Sequence, residues 1–143
     1  MINIFDFDVI LQQGIKWFSS TDTIEGVTNE FGKPNDIEFY DDGNIFYHYD
    51  NIKLGFRDSK LERVVIYFLN FENEYKITSI DSKPVLLNRD ISVGLIIQYL
   101  NAKQIKWFVK YEESMHDYLV IDLESGARIF FYLYSGQLER ITL

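Results

Sequence analysis

A six-residue segment occurs twice in this chain, and this repetition restricts the possible folds more than any other feature. Residues 61–66 read Leu-Glu-Arg-Val-Val-Ile, and residues 138–143 read Leu-Glu-Arg-Ile-Thr-Leu. An alternating apolar run and a polar turn precede each copy, and the two stretches align without a gap when Ile52 is set on Ile129. Apolar residues at every second position are typical of strands. The sequence therefore predicts one supersecondary unit, built around a β-hairpin, that is used twice.

Two short helices are predicted, one ahead of each group of strands. The first follows Asp22, which can cap the free amides, while Glu25 can close a capping box. Gly32 favours its end. The second helix is expected at about residues 91–101, with Asp90 in the place of Asp22.

The remaining pattern predicts antiparallel strands, a class of structure favoured by the 12 Phe, 10 Tyr and 2 Trp of the chain. We expect an α+β fold in which residues 1–143 form a single domain of two tandem repeats, at about 15–70 and 80–143. Each repeat is a helix followed by an antiparallel meander, with both helices on one face of the sheet. Val64 and Ile66 are expected to face the helices, and Arg63, Val65 and Tyr67 the opposite side. The reverse assignment stays open, because a shift of one residue exchanges the two faces. The strands are predicted at residues 37–40, 45–49, 52–56, 61–68, 105–111, 118–123, 127–133 and 138–143, with shorter equivalent strands at 15–18 and 85–87. Residues 75–80 could add a further strand.

Charge and cysteine content restrict the possible partners and compartment. The chain has 22 acidic and 14 basic residues, a net charge of -8, and no cysteine. An acidic chain whose basic residues do not cluster along the sequence disfavours nucleic acid and anionic lipid and favours a basic protein partner. The alternative is that the negative charge serves solubility alone. The first residues do not resemble a secretory signal, and no apolar run is long enough to span a membrane. We expect a cytoplasmic protein.

No motif predicts catalysis, a metal or a cofactor. Ser114, His116 and Asp117 are near neighbours on one turn, whereas a catalytic triad requires groups that converge in space. The turn at residues 41–44 lacks the spaced ligands and final glutamate of a calcium loop. The glycines are scattered and form no phosphate-binding loop.

The turn between the first two strands of each meander is acidic. It contains Asp41 and Asp42 in the first unit, and Glu112, Glu113 and Asp117 in the second. If the two repeats lie side by side in one sheet, these turns could form one acidic rim that steers a basic partner. The alternative is that both are ordinary solvated turns, which are polar by default.

The tandem unit, with the helix stop Gly32-Lys33-Pro34 and the repeated Leu-Glu-Arg, resembles small proteins that bind another protein through a sheet. Two groups share this architecture: the immunity proteins of bacterial polymorphic toxin systems, and the tandem α/β inhibitors of the β-lactamase-inhibitor type. The second unit departs from the pattern, since Leu100-Asn101-Ala102 stands where its helix stop is expected. The secreted inhibitors carry disulfides, so the cysteine-free chain fits the cytoplasmic immunity proteins better.

The leading hypothesis is a non-enzymatic protein-binding module, most specifically an immunity protein that covers the active site of a toxin domain. Its acidic turns would steer the partner, and aromatic side chains such as Tyr47 and Tyr132 would supply binding energy. A second hypothesis is a small-ligand binder or enzyme with a cleft between the repeats, where His48, Tyr47, Tyr49 and Tyr132 would converge. A third is a component of a structural homodimer.

Overall fold

The computed structural model describes residues 5–19, 21–78, 83–111 and 116–143. The helices are α1 (Phe7–Gln13), a 3-10 helix (Gly14–Phe18), α2 (Ile24–Phe31) and α3 (Val93–Ala102). None of the helices in the described ranges is long and apolar enough to cross a membrane. The strands are β1 (Asp36–Phe39), β2 (Ile45–Tyr49), β3 (Ile52–Arg57), β4 (Lys60–Tyr67), β5 (Tyr75–Thr78), β6 (Pro84–Leu87), β7 (Trp107–Lys110), β8 (Tyr118–Leu123), β9 (Arg128–Tyr132) and β10 (Leu138–Thr142).

Eight strands form one antiparallel sheet in the order β1-β2-β3-β4-β10-β9-β8-β7, and β5 and β6 form a separate hairpin. The first four strands are one meander and the last four are another. The two meanders join where β4 pairs with β10. The α+β class and the antiparallel arrangement are confirmed, and the strands of the large sheet lie within two residues of their predicted bounds.

The hydrophobic core lies between one face of the large sheet and the helices. Val64 and Ile66 are fully buried there, as predicted, together with Ile129 and Ile141 of the second meander. Val27 of α2 and Ile96 of α3 belong to the same cluster. We call the other side of the large sheet the open face.

The segment predicted as a strand at residues 15–18 is a 3-10 helix instead. It follows α1, which ends at Gly14 with φ +61°. A Cβ at Gly14 would lie 2.5 Å from the Ser125 carbonyl oxygen, so the chain reverses at a position that only glycine fills without strain. The tight turn that results buries Phe18 in the core. Residues 85–87, predicted as the equivalent of this segment, lie in strand β6, so the two regions are not alike.

The residues that cap α2 and α3 differ from the predicted Asp22 and Asp90. Thr23 caps α2 by accepting a hydrogen bond from the Gly26 amide at 3.0 Å. Asp22 is unsuited to that position because its carbonyl accepts the Leu61 amide at the start of β4. Ser92 caps α3, and Asp90 instead accepts a hydrogen bond from the Gln137 side chain at 3.0 Å.

One carboxylate fastens three elements on the helical side. Asp8 of α1 accepts hydrogen bonds from the Thr78 amide and hydroxyl, and from the Tyr99 hydroxyl at 2.6 Å, with Lys103 at 4.0 Å. Burial acts to raise its pKa, but these hydrogen bonds outweigh burial and hold the pKa of Asp8 below its ordinary value. Burial and the hydrogen bond to Asp8 raise the pKa of Tyr99. This group ties α1 to β5 and α3.

Candidate binding site on the open sheet face

The open face has a small apolar floor of its own. Val65, Val120 and Phe130 are almost fully buried but do not belong to the main core cluster, because they point away from the helices. Arg140 covers part of this floor, with its guanidinium carbon 3.9 Å from the centre of the Phe130 ring and 5.1 Å from that of Tyr118. Cation–π contacts of this kind hold a long side chain flat over an aromatic ring.

The repeated Leu-Glu-Arg places a β-bulge in each half of the sheet. In the first hairpin Leu61 pairs with Phe56 and Arg63 with Gly55, so Glu62 is the extra residue. In the second hairpin Leu138 pairs with Phe131 and Arg140 with Phe130, so Glu139 is extra. The extra residue lets Leu remain in the core while Arg, two positions later, emerges on the open face.

Cross-strand pairing then brings four cations around one point. Lys53 pairs with Val65, Val65 with Thr142, and Thr142 with Arg128, which makes one row across β3, β4, β10 and β9. Lys53 and Arg128 end this row, with backbones about 14 Å apart at ordinary strand spacing. Arg63 and Arg140 lie two residues from Val65 and Thr142 on opposite sides of the row. A groove of about 630 Å³ occupies this centre, and Glu62 is the one acidic residue among the described residues that line it.

Acidic residues surround the four cations and neutralise three of them. Arg128 Nε lies 3.1 Å from Asp122 Oδ1, and Arg140 Nη1 donates to Glu139 Oε2 at 2.6 Å. Lys53 Nζ lies 3.9 Å from Glu38 Oε2. Asp122 Oδ1 is buried and accepts no aligned hydrogen bond from a described residue, so its contact with Arg128 is an ion pair only. Burial raises the pKa of Glu139, and Arg140 opposes that rise.

Arg63 is the exception among these cations. Its side chain is exposed and makes no ion pair or hydrogen bond with any other residue in the described ranges. Gly55, directly across from it, offers no side chain to cover. Arg63 is therefore the group at this centre that is best placed to bind an anion, and its planar fork suits a carboxylate.

A polar cluster closes the β1 end of the face. Glu38 accepts a hydrogen bond from the Tyr40 hydroxyl at 2.8 Å, which is the main reason that the pKa of Glu38 is lowered and that of Tyr40 raised. His48 Nε2 lies 3.1 Å from Glu38 Oε1, but the geometry is not that of a hydrogen bond. Among the described residues, no three His, Asp or Glu side chains are placed to hold a metal ion.

Among the described residues, Asp41 and Asp42 of the first acidic turn lie far from Asp117 of the second and do not share the single rim that the sequence leaves open. Four strands separate the β1–β2 hairpin from the β7–β8 hairpin, a distance of about 29 Å at ordinary strand spacing. Alternating strand directions also place the two turns at opposite ends of the strands. Glu112 and Glu113 lie outside the described residues, and Asp117, beside them, is exposed.

The first acidic turn has a local structural role. Asp42 accepts hydrogen bonds from the Asn44 amide at 3.0 Å and from the Asn44 side chain at 2.6 Å. Gly43, at φ +84°, completes the turn, and Asp41 is exposed beside it. This Asx turn supports the interpretation of Asp42 as a residue that holds the hairpin in register.

The tyrosines and histidine proposed for a cleft between repeats do not converge. His48 points to the open face, while Tyr47 and Tyr49 of the same strand point to the helical side. The Tyr49 hydroxyl donates to the Gly32 carbonyl at 2.8 Å, and burial raises the pKa of Tyr49 to about 12. Tyr132 is on β9, four strands from β2, where it packs against Tyr118 and Tyr134.

The sequence does not predict the basic groove, because its four cations do not cluster along the chain. Lys53, Arg63, Arg128 and Arg140 are spread over 88 positions and are brought together only by the pairing of β4 with β10. The signal that could have found them is the repeated Leu-Glu-Arg itself, because two copies of one hairpin joined edge to edge bring their arginines to one face.

Comparison of the chain with protein-family models, with curated proteins and with solved structures returns no match.

Proposed function

We propose that this chain is a non-enzymatic protein-binding module and that the centre of the open face is its binding site. The observation that carries this proposal is the arrangement of cations over the apolar floor, with acidic residues further out. An exposed Arg63 next to aromatic and aliphatic side chains has the composition of a binding hot spot. The partner would present a carboxylate or carbonyl group to Arg63 and apolar side chains to the rest of the groove.

The distribution of charge favours a protein over a nucleic acid. Sheets that bind single strands combine cations with exposed aromatic rings, and both are present here. However, Glu38, Asp122 and Glu139 stand within 4 Å of three of the cations, and the whole chain carries -8. A phosphate backbone that crossed the face would meet these carboxylates. A protein surface can match basic and acidic positions one by one.

The most specific form of the proposal is a cytoplasmic immunity protein that neutralises a toxin domain. Asp41, Asp42 and Asp117 remain the candidates for steering a basic partner from a distance, while the open face supplies the contact. The acidic turns and the basic groove then have separate roles. The acidic turns would affect the rate of association, and Arg63 would affect the lifetime of the complex.

We also infer that the sheet contains two copies of one helix-plus-meander unit. Mirrored strand order about the β4·β10 junction supports this inference, as do the matching bulges at Glu62 and Glu139. The turns have diverged, since Asp58-Ser59 joins the first hairpin and residues 133–136 join the second. In a crystal structure, superposing residues 36–67 on residues 107–142 should bring the two bulges together. Bulges at different positions would contradict a duplication.

Site-specific photo-crosslinking in cells of the source organism tests the binding face. A photo-reactive phenylalanine analogue in place of Thr142 lies in the groove without removing a charge, and one in place of Tyr134 is the exposed control away from it. We expect one protein to crosslink from position 142 and not from 134, with a lower yield when Arg63→Glu is added. Identification of that protein as a toxin domain that the chain inhibits would support the immunity form.

Equal crosslinking from both positions, or no effect of Arg63→Glu, would contradict an open-face binding site. Recovery of RNA or DNA instead of protein would favour a nucleic-acid-binding sheet. Recovery of a small molecule from the groove would favour the ligand-binding hypothesis.

A further inference from the structure

The two edges of the large sheet are unpaired and oppositely charged. β1 and β7 each pair with a neighbour on one side only within the described sheet. Asp36 and Glu38 are on the open side of β1, whereas Lys106 directly precedes β7 and Lys110 ends it. Unpaired strand edges present free backbone donors and acceptors to another chain.

Both edges also expose apolar side chains. Phe39 on β1 is 74% exposed, and Phe108 and Val109 on β7 are 58% and 51% exposed. Exposed aromatic residues on an edge strand are unusual, because edges are generally protected from association by charge, proline or a covering segment.

We propose that the β1 edge of one copy of this chain pairs with the β7 edge of a second copy, head to tail. This inference concerns a surface separate from the groove and does not depend on the proposed function. Alternating directions across the sheet make β1 and β7 run in opposite senses, so a second copy that continues the sheet places them antiparallel.

Full overlap of the two four-residue strands gives a consistent register. Asp36 would lie opposite Lys110 on the open side. Glu38 would lie opposite the exposed ring of Phe108, with Lys106 and Lys110 as its diagonal neighbours. Intramolecularly, Lys110 is 3.9 Å from Asp122, so it would bridge the carboxylates of two copies. Cross-strand pairs of opposite charge stabilise a sheet.

The same register pairs apolar residues on the helical side. Phe39 would lie opposite Trp107, and Ile37 opposite Val109. These positions share a face because Phe39 and Ile37 pair with Ile45 and Tyr47, and Trp107 and Val109 with Leu123 and Ile121, all residues of the helical side. The open side of the junction therefore has one directly opposed charge pair and two diagonal Glu–Lys contacts beside Phe108, and the helical side pairs apolar residues only.

Symmetric pairing is disfavoured by the same charges. Pairing of two β1 edges would bring Asp36 and Glu38 of one copy against the same carboxylates of the other. Pairing of two β7 edges would bring lysines together. Like charges opposite each other destabilise a sheet. Head-to-tail contact leaves one β1 and one β7 free at the ends, so it builds open chains of copies rather than a closed dimer.

Two blocking variants and their mixture test this arrangement. Phe39→Lys places a charge on the apolar side of β1, and Val109→Lys does so on β7. Leu133→Lys, in a turn away from both edges, is the matched control at a residue that is 56% exposed. All three replace an exposed apolar residue by lysine, and circular dichroism and thermal unfolding would check that each folds.

The readout is the weight-average mass by sedimentation equilibrium, between about 10 µM and about 1 mM, the range appropriate to a small interface. We expect the mass of wild type and Leu133→Lys to rise with concentration beyond twice the 17.0 kDa of one chain. Phe39→Lys and Val109→Lys should each remain monomeric alone. Their equimolar mixture should form a 1:1 dimer and stop there, since one intact β1 and one intact β7 remain to pair.

Several outcomes would overturn the proposal. Wild type that stays monomeric over this range would do so. Self-association of Val109→Lys would indicate a symmetric β1 contact, and self-association of Phe39→Lys a symmetric β7 contact. Failure of the mixture to form a dimer, with wild type associating, would place the interface elsewhere on the molecule.

Discussion

The two Leu-Glu-Arg segments each carry a β-bulge at the glutamate, but their surroundings differ. In β10, Arg140 lies on Phe130 and donates to Glu139, whose side chain is largely buried. In β4, Arg63 faces Gly55, and the aromatic ring over Gly55 is Phe46, from the neighbouring strand. Lys53 covers that ring, 4.3 Å from its centre. The same three residues therefore accompany a bulge in both hairpins, while the residue across the strand decides whether the arginine packs on a ring or remains available.

The largest expected difference is in the core leucines. Leu138 is fully buried and Leu61 slightly exposed. Leu138→Ala should lower the free energy of unfolding by about 3 to 5 kcal/mol, and Leu61→Ala by about 2 to 3 kcal/mol. Urea denaturation followed by circular dichroism measures both. If Leu61→Ala cost more than Leu138→Ala, the second hairpin would not be the better packed of the two.

Replacing Arg140 should reduce the stability of the fold more than replacing Arg63 does. Replacing Arg63 should reduce partner binding more. Arg140→Ala exposes Phe130 and leaves Glu139 without its ion-pair partner, so we expect a loss of about 1 to 3 kcal/mol. Arg63→Ala removes no contact of this kind and should change stability by less than about 0.5 kcal/mol. Urea denaturation of both variants, and titration of the crosslinked partner with Arg63→Ala, would test the two orders. A large loss of stability for Arg63→Ala would show that its side chain packs after all.

Substitutions in the two turns that precede the bulges should change stability in opposite directions. Ser59 has φ +64° and Asp58 has φ +50°, values that suit glycine better at the second position of such a turn. Ser59→Gly should therefore stabilise the chain by about 0.5 to 1 kcal/mol, because glycine adopts a positive φ without strain. In the second turn Gly136 has φ +73°, and Gly136→Ala should destabilise it by about 1 kcal/mol. Thermal unfolding of the two variants checks both signs, and a destabilising Ser59→Gly would contradict the turn geometry.

The smallest effect expected is a difference in pH dependence at the bulge glutamates. Because burial raises the pKa of Glu139 in the folded chain, the native state holds its proton to higher pH than the unfolded state does. The stability that this group contributes is present at low pH and is lost as pH rises above its ordinary value of 4.5. Glu139→Gln removes that loss. The free energy of unfolding of this variant, minus that of wild type, should therefore increase as pH rises from 4.5. Glu62→Gln controls for the loss of one negative charge, and an unchanged difference across this pH range would contradict the raised pKa.

Much of the fold could be predicted from the sequence, because alternation and turn residues act locally. The predicted bounds of strands β2 and β8 match the structure to the residue. Alternation places Val64 and Ile66 on one face, and the structure shows that this face is the buried one. The 3-10 helix at residues 14–18 could not be predicted in this way, since Gly14 at its start packs against the backbone of Ser125, which is 111 positions away. The Asp8 cluster likewise depends on Thr78 and Tyr99.

The candidate site depended on information that local pattern does not contain. The four cations meet because β4 pairs with β10, and the order of residues along the chain does not specify that pairing. These cations are Lys53, Arg63, Arg128 and Arg140. The acidic turns were visible in the sequence, but their separation follows from the same strand order. Arg63 and Arg140 are alike in sequence, and only the residues across from them distinguish their roles.

The most direct test of the account is a disulfide across the centre of the open face. Val65 and Thr142 are paired in the strands that join the two halves, and the neighbouring Val64 and Leu143 exchange both backbone hydrogen bonds. Val65→Cys with Thr142→Cys, in a chain that has no other cysteine, therefore places two thiols at a closely spaced pair. Lys53→Cys with Thr142→Cys, two strands apart, is the control that should not close. We predict that mild oxidation converts the first variant into a folded, internally crosslinked monomer, measured by mass spectrometry and loss of free thiol. Free thiols, or only crosslinks between molecules, would contradict the β4·β10 junction on which the binding face depends.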